Sequence, residues 1–176
     1  MTNNTQLTST DIRPGTYTID AARSTVEFTA THVFGLKPVH GTMSVRYGTV
    51  TVATEPRRST LSAELDAASF TTDDERRNRD IRGKRFLDVA QFPVIGFRST
   101  RLARSADGGW QVVGELAVRG GSTEVTLDLT GMEPADGGYR ISAATTVDRV
   151  AAGVAGGRAI IGRLLTIRLT VLMTAA

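Results

Sequence analysis

The chain has 176 residues and a mass of 18.8 kDa, the size of one domain, and its net charge of +3 is too small for a dense nucleic-acid-binding field. With 40% apolar residues, 22% charged residues and a mean hydropathy of −0.09 it can bury a core, which excludes wholesale disorder. Cysteine is absent, which excludes disulfides, thiol catalysis and thiolate metal sites, and no apolar run approaches the roughly 18 residues of a membrane-spanning helix.

Residues 1–13 are polar and lack the basic start and apolar stretch of an export signal, so they read as a disordered lead-in and the expected location is the cytoplasm. Residues 14–176 read as a single domain whose dominant signal is period two. Thr25–Thr31, Thr60–Asp66, Glu124–Thr130 and Leu165–Val171 alternate apolar and polar residues. Less regular strand-like stretches are Thr16–Asp20, Thr42–Tyr47, Thr49–Ala53, Val94–Leu102, Trp110–Val118 and Tyr139–Val147. Turn formers separate them at Tyr47-Gly48, Asp107-Gly108-Gly109, Gly120-Gly121-Ser122 and Asp136-Gly137-Gly138. Two-faced strands at short spacing predict an all-β, eight-stranded antiparallel barrel, since closure removes exposed edges.

One segment breaks the alternation. Residues 72–82 are charged, with Thr72 three residues before Glu75 at capping-box spacing and Glu75 four before Arg79. This predicts one α-helix inserted between strands and lying across an end of the barrel, with an apolar tail at Phe86-Leu87 and Phe92-Pro93. The glycine-rich residues 151–162 form a long connection before the last strand.

Catalytic signals are poor. His32 and His40 flank a turn and could approach each other, but no third metal ligand follows from spacing, and hydrogen-bonded structural histidines are the simpler reading. No serine sits in a Gly-x-Ser-x-Gly elbow. Residues 157–164 look like a phosphate-binding loop only until Arg163-Leu164, where Lys and Ser or Thr are needed. The basic residues of the helix are interleaved with acids, as on a solvated face, and no aromatics accompany them, so no nucleic-acid partner is expected. Phe28, Phe70, Phe86, Phe92 and Phe97 fall in strands or beside the helix, with smaller inward residues such as Ala30, Val45, Ala63, Leu116 and Ala143. An eight-stranded barrel of this kind either fills itself or encloses one ligand.

Several strings resemble the YceI-like family. Tyr17-Thr18-Ile19-Asp20-Ala21-Ala22-Arg23-Ser24-Thr25-Val26-Glu27-Phe28 resembles that family's opening Tyr-x-Ile-Asp-x-x-His-Ser-x-Val-x-Phe, with Arg23 in place of the histidine. Thr31-His32, His40-Gly41, residues 68–72, residues 78–97, residues 114–120 and Asp148-Arg149 continue the pattern in order, with Ile81 and Leu87 departing from it. The resemblance implies a lipocalin-like barrel that binds a polyisoprenoid or another long amphipathic lipid, such as an isoprenoid quinone or a fatty-acyl chain, in its bore. It implies no other cofactor and no enzymatic activity. Phe28, Phe70, Phe86, Phe92, Phe97, Leu116 and Ile141 are then expected to line the bore. His32, Arg79, Asp80 and Arg149 are expected to form a polar rim or to lock the helix, Arg77 to point into water, and pairing into a homodimer stays open. The alternatives are an enzyme for a hydrophobic substrate, with His32 as base oriented by Asp80, and a filled barrel serving as an interaction module.

Overall fold

The computed structural model describes residues 12–32, 37–157 and 161–176. In chain order the elements are β1 (Gly15–Ile19), β2 (Thr25–His32), β3 (Pro38–Val52), β4 (Thr60–Thr72), α1 (Glu75–Arg82), β5 (Val94–Arg104), β6 (Trp110–Val118), β7 (Gly121–Ala135), β8 (Gly138–Asp148) and β9 (Ile161–Ala175). The sheet runs β3-β2-β9-β8-β7-β6-β5-β4, and β4 pairs back onto β3, so the barrel closes. Every pairing is antiparallel. β1 also lies between β3 and β9, in line with β2, so these two segments share one of eight positions around the barrel. Among the described residues closure leaves no long ladder edge unpaired, as the alternating pattern requires.

The break between β1 and β2 has a local cause. The Asp20 carboxylate accepts from the Arg23 backbone N–H at 3.1 Å and from Arg23 Nε at 2.8 Å, closing a short 3₁₀ turn over Ala21–Arg23. Ser24 Oγ then donates to the Asp20 carbonyl and accepts from the Leu172 N–H, which returns the chain to the β9 ladder.

Gly48 is not the turn its neighbours suggest. β3 runs unbroken through it, so Thr42–Tyr47 and Thr49–Ala53 are one strand rather than two. The glycine serves a close approach instead: a Cβ there would stand 2.4 Å from the Ile19 side chain. The helix also begins later than the capping-box spacing predicts. Asp74, not Thr72, is the N-cap, its carboxylate accepting from the Arg77 N–H at 3.0 Å. The expected lead-in lies outside the described residues up to position 11.

Candidate functional site

Alternation along the strands puts one row of side chains inside, yet many of these inward residues are only half-buried. Leu61, Ala63 and Leu65 on β4 and Leu165, Ile167 and Leu169 on β9 are half-buried, although they face the axis of a closed barrel. They are not fully packed because the barrel is hollow. A cavity of about 290 Å³ runs along the axis, lined almost entirely by apolar side chains from the strands, α1 and the loops beside it, and it opens partway to solvent.

Phe28, Phe70, Phe86, Phe97, Leu116, Ile141 and Arg149 all reach this cavity. Phe28 and Phe70 meet with ring centroids 5.9 Å apart and planes tilted by 59°. Phe70 stands there because the β3–β4 register jumps between Thr42↔Thr71 and Ser44↔Asp66, leaving β4 with extra residues. Ser69 Oγ secures that bulge, accepting from the Ser44 N–H at 2.8 Å and donating to the Asp66 carbonyl at 2.6 Å. Two glycines let aromatic rings lie close to the wall. A Cβ at Gly41 would come within 2.9 Å of the Phe70 ring, and one at Gly114 within 2.5 Å of the Phe97 ring.

Other expected residues lie off the cavity. Arg79 and Asp80 are exposed and make no side-chain hydrogen bond or ion pair among the described residues. Helical spacing explains this. Arg77 and Ile81, four apart, face the cavity, while Asn78 and Arg82, four apart, face β4, so positions 79 and 80 point away. Phe92 is half-buried outside the barrel bore, near Gly120 in the β6–β7 turn. The His32 side chain lies outside the described residues. His40 faces outward, its Nδ1 paired with Thr29 Oγ1 at 3.1 Å in a polar surface groove. Among the described residues no three His, Asp or Glu side chains are grouped to hold a metal.

Three polar side chains join the lining: Arg77, Thr145 and Arg149. Arg77, contrary to its expected place in water, touches the cavity while remaining 29% exposed, which puts it at the mouth. Its guanidinium donates to Asp73 at 2.9 Å. Arg149 is only 4% exposed and donates to the carbonyls of Val154, Gly156 and Gly162, so it organises the connection between β8 and β9. Asp148 secures the same connection. The Ala151 N–H, aided by Arg163 and the Val150 N–H and opposed by partial desolvation, holds its carboxyl below the usual carboxylate range.

Sequence reasoning missed the residues that hold the helix in place. Asn78 is 1% exposed. Its amide oxygen accepts from the Thr72 N–H and hydroxyl at 2.7 and 2.8 Å, and its amide nitrogen donates to Thr71, Thr72 and Glu75. Arg82 donates twice to the Phe70 carbonyl, at 2.9 and 2.6 Å, tying α1 to the bulge. Arg119, at φ 51° in a two-residue turn with Gly120 at φ 74°, donates to the carbonyls of Phe86 and Lys84. An asparagine inside a helix, where its propensity is low, is the one signal that could have drawn attention to position 78.

The chain matches a family model described as the YceI-like domain over residues 17–173. A UPF0312 protein of Pseudomonas syringae pv. tomato is 33% identical over 120 residues, 65% of this chain and 62% of that protein. The chain thus spans under two thirds of the length of the curated relatives it matches. Among solved structures, Burkholderia cenocepacia BcnA superposes with a TM-score of 0.74 at 21% identity, covering 87% of this chain and 98% of that one. A domain from Saccharophagus degradans described as polyisoprenoid binding gives 0.61 at 13% identity, covering 93% and 100%. At these identities both likenesses establish the fold. Among the described residues no helix is long and apolar enough to cross a membrane.

Proposed function

Because this chain belongs to the YceI-like family, we propose that it binds and carries a long-chain amphipathic lipid, polyisoprenoid or quinone-like, in its bore without transforming it. The observation that carries this reading is the hollow itself, about 290 Å³ and walled by apolar side chains. A barrel working through its outer surface would gain by filling that space, since an empty apolar cavity forfeits packing. A tail placed there gains roughly 0.8 kcal/mol per buried methylene. The polyisoprenoid-binding description of the Saccharophagus domain supports the same ligand class. Arg77 at the mouth is then a cation placed to meet the head group, exchanging Asp73 for it.

Mass spectrometry of lipid extracted from natively purified protein tests this directly: a prenyl or acyl chain is expected. Protein that is always recovered empty and takes up neither class defeats the proposal. Phe97→Asp, which puts a carboxylate on the cavity wall, should lower uptake at least a hundredfold, and Arg77→Ala by about tenfold or less. Equal losses would show that the tail does not rest on Phe97.

A further inference from the structure

The bore also sets a limit on the tail. On general cavity grounds a 150 Å³ apolar cavity accommodates benzene, so about 290 Å³ corresponds to on the order of 12 carbons. Taking instead the smallest space that admits one water, ~10–15 Å³, raises the capacity to about 20–30 heavy atoms. The two yardsticks bracket the tail.

Among the described residues, packed side chains close the cavity at its β1 end. Ile19, Val26 and Val45 are buried and pack together at the β1 end, where Gly48 lets Ile19 press against β3. Beyond them Met173 is 1% exposed, and Tyr17 and Tyr139 stack edge to face at 5.8 Å. The remaining room is kept by the glycine seats, which draw the Phe70 and Phe97 rings toward the wall. With alanine at position 41, the Phe70 ring would have to move.

We infer that this site is a ruler for single-tailed amphiphiles whose buried tail is about 12 to 30 carbons, with the remainder of any longer chain left outside. The inference rests on the lipid-binding reading above and sharpens its ligand class.

The test is displacement of a fluorescent fatty acid from delipidated full-length protein by prenols of two, four, six and nine isoprene units, each delivered from cyclodextrin. Affinity should climb about fourfold per added methylene-equivalent at first. It should then level off by six units, with the nine-unit prenol within threefold of the six-unit one. A nine-unit prenol that binds tenfold or more tighter than the six-unit one overturns the ruler while leaving lipid binding intact. Failure of every prenol, together with failure of the fluorescent fatty acid to bind, overturns both. Phe97→Leu, which opens the wall without removing its apolar character, should move the plateau to longer prenols. An unmoved plateau in a folded Phe97→Leu protein counts against the cavity as the gauge. Because this variant is read by a gain for long chains, misfolding cannot imitate the expected result.

Discussion

The two ends of the barrel are closed by different kinds of contact. At the β1 end the closure is side-chain packing within the ladder: Ile19, Val26, Val45 and Met173 are buried on strands hydrogen-bonded on both sides. Burial, reinforced by Tyr139 and opposed by Arg13, pushes the Tyr17 phenol above its ordinary pKa. At the helix end the cover is α1 and two connecting segments that belong to no ladder. They are held by single side chains donating to carbonyls: Arg82 to Phe70, Arg119 to Phe86 and Lys84, Arg149 to Val154 and Gly156. A strand inside a ladder yields only when its neighbours yield. A side-chain tie, with a net worth of about 0.5–3 kcal/mol, can be traded for water one at a time. Local opening should therefore belong to the helix end, and the floor should open only with global unfolding.

The largest effect should come from the floor. Met173→Ala removes a fully buried side chain and should cost about 2–5 kcal/mol in chemical denaturation. Lipid uptake per folded molecule should stay unchanged. A loss below about 1 kcal/mol would show that the floor is loosely packed, and the contrast between the ends would collapse.

A smaller, more local effect should come from the cover. Asn78→Ala strands the Thr72 N–H, which should cost about 1–3 kcal/mol. Its signature is where the loss falls. Amides of residues 75–82 should exchange with deuterium far faster, probe release should accelerate, and β1 and β9 amides should keep their protection. Uniform loss of protection would mean that the cover and the floor unfold as one unit.

The fold was more legible than the site because its signal repeats. Period-two patterning marks strands wherever one face is wet, so Leu165–Val171 gave β9 its inner row at Leu165, Ile167 and Leu169. Gly48 misled because a glycine that makes room for a neighbour looks, in sequence, like a glycine that makes a turn. The inward-facing phenylalanines on β2 and β5, Phe28 and Phe97, follow from strand parity. Phe92 does not, because it sits beyond the turn around Asp88, whose φ of 49° no local pattern announces. The helix face was the harder case. Reading Arg79-Asp80 as the contact pair placed the wrong side of α1 inward, and the side that does face inward is fixed by Asn78 and Arg82 bonding to Thr72 and Phe70. Those are tertiary partners, and charge patterning on an eight-residue helix does not encode them.

Acid offers the mildest probe of the same contrast. The Arg77 backbone N–H, opposed by partial desolvation and helped by the Arg76 N–H and both guanidinium groups, holds the Asp74 carboxyl below its ordinary value of 3.8. A carboxyl lowered in the folded state contributes stability that is complete above that ordinary value and is lost as pH falls through the folded one. The helix cap, and with it the cover, should therefore hold from neutral pH down to about pH 4 and loosen below it. Asp148 in the β8–β9 connection shifts in the same direction, as does Asp20 at the β1–β2 break near the floor. The comparison thus needs a variant that silences only the cover. Asp74→Asn with Asp148→Asn keeps side-chain oxygens able to accept from the backbone N–H groups but removes their titration. Probe release followed from pH 7 to pH 3 should begin below about pH 4 in the native chain, and the double variant should show a flatter profile there. Release with a midpoint near pH 6 in both proteins would instead place the trigger on an imidazole, and the carboxylate caps would then have no part in opening the barrel.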